Sequence, residues 1–253
     1  MIIMTNGPEN KGTPQQENPR VTELTDELYR RFASALPHLP DNGIISANLL
    51  ALARELAEKQ ATLEQLAVLD SLLPGFFKHS YFLQLLDSEA KTTEKKPTPD
   101  SALIVLDFDK FRDFNNRFGH PAGDRLLKSA GKAMCESLRP GDTRGRIGGD
   151  ELAVIVHRVA IDGAVAAARR LQAAVIRASQ EEFGSQGWSQ RISVGICLIT
   201  PGHSGEVLHG IADKALYASK GARGDRISIA SFNPVTKSVD VRTLPLRPTI
   251  SQR

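Results

Sequence analysis

Apolar and polar positions divide the chain into a helical first third and a longer stretch in which short apolar runs alternate with helical periodicity. Residues 1–20 are rich in Asn, Gln, Gly and Pro and are expected to be disordered. An amphipathic helix is predicted over residues 21–37, starting near Thr22. Beyond the Pro40-Asp41-Asn42-Gly43 break, Leu49, Leu52, Leu56, Leu63 and Leu66 recur at helical spacing with Lys59 interrupting. This second helix is expected either to pair with a copy of itself or to fold back onto residues 21–37 or its own domain. Residues 21–87 thus read as a helical regulatory or dimerisation region, and residues 88–100, polar and containing prolines, as a loop.

The next run, Ala102-Leu103-Ile104-Val105-Leu106, is short, apolar and partly β-branched, which suits a strand buried on both faces. It ends in Asp107-Phe108-Asp109. Two helices follow, the second carrying a Leu127, Ala130, Met134 stripe. The flanks of Gly148-Gly149-Asp150-Glu151, from Arg144 to Ile147 and from Leu152 to His157, suit two strands. The two glycines are then expected to make the reversal with positive φ. A helix from about Asp162 to Phe183, a strand at 190–199, a helix from Gly205 to Lys220 and a strand at 226–231 complete the order. Val207, Ile211, Ala215 and Ala218 are the expected inward stripe of that last helix. The sum is an α/β sandwich with a mixed, mostly antiparallel sheet over residues 101–233, preceded by an α-helical N-terminal region. Residues 234–253 read as a polar, loosely ordered tail.

Composition changes this picture little. At 253 residues with 41% hydrophobic and 24% charged positions, the chain is long enough for one good core plus an accessory element. A net charge of +3 gives no argument for nucleic-acid or membrane binding. Cys135 and Cys197 read as buried thiols, and no apolar run reaches transmembrane length, so a cytoplasmic location is the expectation.

The chemistry lies in the acidic positions. If the strands ending at Asp107 and starting at Glu151 are neighbours, their carboxylates converge with Asp150, an arrangement expensive unless it holds a cation. Ligation by oxygen alone favours Mg²⁺ or Mn²⁺, completed by nucleotide phosphates. Taken by itself, a Gly-Gly-Asp segment is equally ordinary turn chemistry. Asp109 reads as a secondary ligand or a hydrogen-bond partner of the local turn, and His120 as a structural residue beside the Pro121-Ala122-Gly123 turn.

Longer motifs decide between these readings. Asp107-Phe108-Asp109-Lys110-Phe111-Arg112-Asp113-Phe114-Asn115-Asn116, then Gly119-His120-Pro121-Ala122-Gly123-Asp124-Arg125-Leu126-Leu127, then Gly148-Gly149-Asp150-Glu151-Leu152 together resemble the GGDEF family of diguanylate cyclases. Order, spacing and residue type agree over about fifty positions. The resemblance implies a palm-like nucleotide cyclase fold in a bacterial signalling enzyme. Two facing domains, a homodimer, would condense two GTP into cyclic di-GMP and two pyrophosphates. It also implies roles. Asp107, Asp150 and the Phe108 carbonyl would ligate the Mg²⁺, and Glu151 would support the metal or the developing charge. Asn115 and Asp124 would hydrogen-bond the guanine edge, rejecting adenine. Arg112, Gly148, Gly149 and Lys220 would lie against the substrate. Arg139 and Asp142, just upstream, match the family's product-binding inhibitory pair; the alternative is that Pro140 and Gly141 simply turn the chain.

Departures from the family pattern have their own implications. Arg112 replaces a Lys, Asn116 an Asp and Leu152 a Phe. Gly224 stands where a phosphate-binding Arg belongs, so Arg223 could take that role only on a small shift of the helix end. The Asp-x-Leu-Thr-Gly-Leu-x-Asn-Arg motif that leads into the domain is replaced by Asp70-Ser71-Leu72-Leu73-Pro74-Gly75-Phe76-Phe77-Lys78. These changes keep open an alternative in which a non-catalytic domain binds cyclic di-GMP or GTP as a receptor. A different nucleotide product from the same scaffold is a third possibility.

Overall fold

The computed structural model describes residues 19–35, 43–94, 98–222, 224–233 and 235–245. The chain divides into two compact units, Met1–Ala67 and Val68–Arg253.

In the first unit, α1 (Pro19–Ala35) meets α2 (Gly43–Val68) through Leu24, Leu28, Ala57 and Ala61. Ala53, Ala57 and Ala61 form the buried face of α2, while Leu52, Leu56 and Leu63 stay exposed. The contact with α1 is therefore made by small residues next to the leucine repeat. The side chain of Leu66 lies outside the described residues.

The second unit is built on a seven-stranded sheet. Its strands are β1 (Phe77–Lys78), β2 (Ser101–Phe108), β3 (Thr143–Arg146), β4 (Glu151–His157), β5 (Ile192–Leu198), β6 (Ile227–Asn233) and β7 (Ser238–Thr243). They stand in the order β1-β3-β4-β2-β5-β6-β7. The central strand β2 pairs antiparallel with β4 and β5; β3 with β4 and β6 with β7 are also antiparallel. Only β1 with β3 and β5 with β6 run parallel. The helices are α3 (His79–Thr93), α4 (Phe111–Phe118), α5 (His120–Ser137), α6 (Ile161–Phe183) and α7 (Gly205–Gly221).

Period-two alternation along β2 assigns the layers. Ala102, Ile104, Leu106 and Phe108 face one way, onto Leu126, Leu127, Ala130 and Met134 of α5 and Ala164, Ala168 and Leu171 of α6. Leu103 and Val105 face the other way, with Ala153 and Ile155 of β4, onto Phe82 and Leu86 of α3 and Leu208, Ala212, Ala215 and Leu216 of α7. The β2 run reads as continuously apolar because both its faces are buried.

Four elements differ from the sequence reading. Phe77–Lys78, placed in the helical region, form β1 because they pair with Gly145 and Arg146 of β3. Helix α3 extends to Thr93, into the expected loop, because Leu86, Ala90 and Thr93 keep a buried face at helical spacing. The inward face of α7 is Leu208, Ile211, Ala212, Ala215, Leu216 and Ser219, one residue round from the expected stripe, and Val207 is exposed. Residues 238–243, expected in the tail, form β7 against β6, from Ser238↔Asn233 to Thr243↔Ser228. Val239 and Val241 do alternate with polar residues, but a mostly exposed edge strand needs little apolar content, so composition alone hides it.

The seat of α7 on β5 depends on Gly195. A Cβ there would lie 2.2 Å from the Ala212 carbonyl oxygen and 2.5 Å from the Leu216 nitrogen, both main-chain atoms that cannot rotate aside. Gly195→Ala must lift the helix off the sheet. It is expected to destabilise the domain by about 2 kcal/mol or more, measured as a lower denaturation midpoint in guanidinium titration.

Candidate functional site

Asp107 is the register partner of Glu151 across the β2–β4 ladder and of Ser193 across β2–β5. Such directly opposed residues hold their Cβ atoms roughly 5 Å apart on one face of the sheet. The alternation that sends Leu103 and Val105 towards α7 sends Asp107 and Glu151 there too. The last turn of α7 meets them with Lys220, whose Nζ lies 2.8 Å from Asp107 Oδ2. Asp150 is the neighbouring hairpin residue, half-buried.

Electrostatically the cluster is overloaded with negative charge. Burial raises Asp107 above the usual carboxylate range, with Asp150 and Asp109 adding to the rise and Lys220 opposing it. Burial also raises Glu151, reinforced by Asp213, Asp107 and Asp150 against Lys220. For Lys220 burial pulls downward, but the Asp107 hydrogen bond and the charges of Asp107, Glu151 and Asp150 more than reverse it. One ammonium does not balance this many carboxylates, and hard oxygen donors suit Mg²⁺ or Mn²⁺. Among the described residues no three His, Cys, Asp or Glu side chains surround a common point. The residues therefore fit an ion held by one or two carboxylates, with main-chain and phosphate oxygens completing its shell, as Mg²⁺ prefers.

The hairpin is shaped differently from expectation. Neither Gly148 nor Gly149 adopts a left-handed φ. Residues 147–150 make a loop long enough to reverse the chain without it, closed by the Ile147 and Gly148 N–H groups donating to the Glu151 carbonyl at 2.8 and 3.2 Å. The lack of side chains matters instead: Gly149 borders open space and both carbonyls are free to be gripped. Arg146 grips them, its Nε 3.2 Å from each and a terminal nitrogen 2.7 Å from the Gly149 oxygen. The same guanidinium reaches Asp70 at 3.4 Å. Asp70 accepts from the Leu72 and Leu73 N–H groups at 2.9 and 2.8 Å. So the divergent segment leading into the domain is still tied to the hairpin.

On the other side of the hairpin a cleft of about 580 Å³ is lined by Arg112, Asn115, Asp124, Gly149 and Asp150, with His120 and Arg146 at its walls. Asn115 Oδ1 is buried there without a hydrogen-bond partner. Phe108 ends β2 with its ring in the core and its backbone beside Asp107. Gly148 sits exposed at the tip.

Asp109 is hydrogen-bonded to segments far along the chain and not to its local turn. Its carboxylate accepts from Ser193 Oγ at 2.7 Å and from the Asp225 N–H at 2.8 Å, while its carbonyl accepts from Gln190 Nε2 at 2.7 Å. Gly224 is packed against it with φ +71°, where a Cβ would lie 3.0 Å from the carboxylate. An Arg at position 224 would thus need both a strained backbone and a displaced Asp109. Arg223 lies outside the described residues.

Arg139 and Asp142 stand apart, lining a cavity of about 460 Å³ with Glu89, His157 and Arg158. Asp142 is buried and holds the turn, accepting from the Arg139 N–H at 3.0 Å and the His157 N–H at 3.3 Å. Arg139 is exposed.

Sequence reasoning gave no role to Arg146, Asp70, Asp213 or His209. Asp213 and Lys220 are seven residues apart on α7, hence on one face, which periodicity alone could have flagged. The contacts of Arg146 with Asp70 and of His209 with Glu151 are long-range and carry no local signal.

An α/β sandwich that ends its central strand pair in an acidic hairpin beside a nucleotide-sized cleft belongs to the class of palm-like nucleotide cyclase domains. Residues 67–226 match the sequence model of the diguanylate cyclase GGDEF domain, and the chain belongs to that family. It is 36% identical over 131 residues to diguanylate cyclase DgcP of Pseudomonas aeruginosa, covering 52% of this chain and 19% of that protein. It is 33% identical over 148 residues to DgcS of Shewanella oneidensis, covering 58% and 48%. The chain thus spans about half or less of these relatives' length. Among solved structures, the coiled coil and GGDEF domain of DgcB from Caulobacter crescentus in complex with c-di-GMP superposes with a TM-score of 0.65 at 27% identity, over 73% of this chain and 96% of that one. Diguanylate cyclase SiaD of Pseudomonas aeruginosa, in complex with its activator SiaC, gives 0.62 at 26%, over 83% and 78%. Among the described residues no helix is long and apolar enough to cross a membrane.

The raised carboxyl of Glu151 has a pH signature in the metal-free protein. Its burial costs nothing at low pH, where folded and unfolded chains are both protonated; the cost sets in as pH rises through the unfolded value near 4.3 and is complete above the raised folded value. Glu151→Gln removes it. With chelator present, the variant is expected to melt a few degrees above the parent at pH 8, the gap closing towards pH 4 in thermal denaturation.

Proposed function

We propose that this protein is a Mg²⁺- or Mn²⁺-dependent diguanylate cyclase working as a homodimer. The observation that carries it is the cleft in which the orphaned Asn115 Oδ1 and Asp124 lie at one side and Asp150 of the acidic cluster at the other. A buried acceptor without a donor is costly. Guanine offers an adjacent ring N–H and amino group where adenine offers an acceptor in place of the ring N–H, so Asn115 and Asp124 select GTP.

Each residue then has a task. Asn115 and Asp124 fix the base, and Arg112 lies over the cleft with charge for the phosphates. Asp107, Asp150 and the Phe108 carbonyl would hold the ion, and Glu151 would support it or the developing charge. Lys220, paired with Asp107 at 2.8 Å, brings positive charge for the triphosphate. When bound, the ion neutralises phosphate charge and aligns the in-line displacement. The 3′-hydroxyl of each GTP forms a bond to the α-phosphorus of the other, each α–β bridging bond breaks, and two pyrophosphates leave. One cleft holds one GTP, so a second copy must face it; the exposed Leu52, Leu56 and Leu63 of α2 offer a surface for that pairing. The GTP substrate and two free thiols suit the cytoplasm.

Incubation with GTP and Mg²⁺ is expected to yield cyclic di-GMP by chromatography, and Asp150→Ala to reduce the rate at least about 100-fold. Absence of product after stripping of bound nucleotide overturns the enzyme reading. It would leave the receptor reading that Gly224, in place of a phosphate-binding Arg, favours.

Product inhibition through Arg139 and Asp142 is part of the proposal, because the exposed guanidinium borders a cavity separate from the GTP cleft and a guanidinium binds phosphate or stacks on a base. Arg139→Ala is expected to leave the initial rate unchanged and raise the cyclic di-GMP concentration for half inhibition at least about tenfold, a change worth about 1.4 kcal/mol.

A further inference from the structure

His209 lies on α7, one turn before Asp213. Its Nε2 is buried, has no hydrogen-bond partner, and lies 3.9 Å from Glu151 Oε1. The His79 ring is its aromatic neighbour, centroids 6.0 Å apart at 46°. Burial lowers its pKa below the ordinary imidazole value, with His79 assisting and Asp213 opposing. An imidazole carries an N–H on one nitrogen when neutral and on both when charged, so Nε2 can serve as a donor.

We infer that His209 is a positioning residue for Glu151: its Nε2–H donates to the Glu151 carboxylate and fixes the direction from which that carboxylate supports the divalent cation. The tautomer follows from the surroundings. With the proton on Nδ1, an imidazole lone pair would face carboxylate lone pairs across a dry gap; with it on Nε2, a donor faces an acceptor. Closing 3.9 Å to a hydrogen bond near 2.9 Å takes about 1 Å of side-chain movement, within the reach of Glu151's rotatable stem. Glu151 needs such a guide because Asp213, Asp107 and Asp150 all repel it, while Lys220 is taken by Asp107. Outer donors of this kind orient ligating groups and typically matter 10- to 100-fold in metal affinity.

This rests on the cyclase reading, and the test separates the two. Mn²⁺ binding is measured by electron paramagnetic resonance of the free ion, with full-length protein and the GTP analogue carrying a methylene bridge between the α- and β-phosphorus. His209→Leu, which keeps bulk and removes the donor, is expected to weaken Mn²⁺ about tenfold and to raise the Mg²⁺ concentration for half-maximal product formation in parallel. His209→Gln, whose amide nitrogen overlies Nε2, restores both. His209→Asn, too short to reach, behaves as the Leu variant and replaces it if that variant does not fold. Mn²⁺ affinity unchanged in Leu and Asn variants, or lost equally in the Gln variant, overturns the inference. Failure of the wild type to make cyclic di-GMP while the Mn²⁺ pattern holds overturns the cyclase reading alone.

Discussion

Asp107 and Glu151 face each other across the β2–β4 ladder, and like charges so placed repel. Their opposition is a matter of register: slipping the pairing by one residue would turn one of the two to the opposite face of the sheet. What fixes the register is the apolar content behind it, Leu103 and Val105 against Ala153 and Ile155 towards α7, and Ile104 and Leu106 with Leu152 and Val154 towards α5 and α6. A strand pair buried on both faces is the stiffest support a domain of this size offers. The repulsion at its end is carried by that rigidity.

The surrounding groups moderate the strain without removing it. Lys220 neutralises one carboxylate, Arg146 holds the hairpin by its carbonyls and leaves the acidic groups free, and Asp109 turns its charge towards Ser193 and the main chain of Asp225. Each is attached to a different element, α7, β3 and the end of β2, so the geometry is shared among several packed pieces. The result is a site in which Asp107 and Glu151 are held above the usual carboxylate range, a familiar exchange of stability for function.

How much of this was readable in the sequence depended on the range of the interaction. The strand at Ala102–Leu106, the α5 stripe and the acidic hairpin announce themselves within a few residues, and the motifs between Asp107 and Leu152 carry the family likeness. The mixed, mostly antiparallel sheet followed from element order. Contacts between distant segments gave no such signal: Arg146 with Asp70, His209 with Glu151, and Gly195 beneath α7 become visible only once the sheet is assembled. The glycines of the hairpin misled in an instructive way. Gly-Gly suggests left-handed backbone, yet at 148 and 149 the useful property is absence of bulk around two carbonyls. At the edge, β7 was hidden because pairing there is mainly main-chain hydrogen bonding, indifferent to side-chain composition.

The contact between Gly224 and Asp109 has a further consequence. Because the carboxylate fills the space where a Cβ at 224 would go and also caps the Asp225 N–H, the side chain at 109 limits what position 224, 115 residues further on, can carry. Asp109 itself follows the family's pattern and only position 224 departs from it: in this chain an arginine at 224 would displace the cap, and a smaller residue at 109 would leave the left-handed turn unsupported.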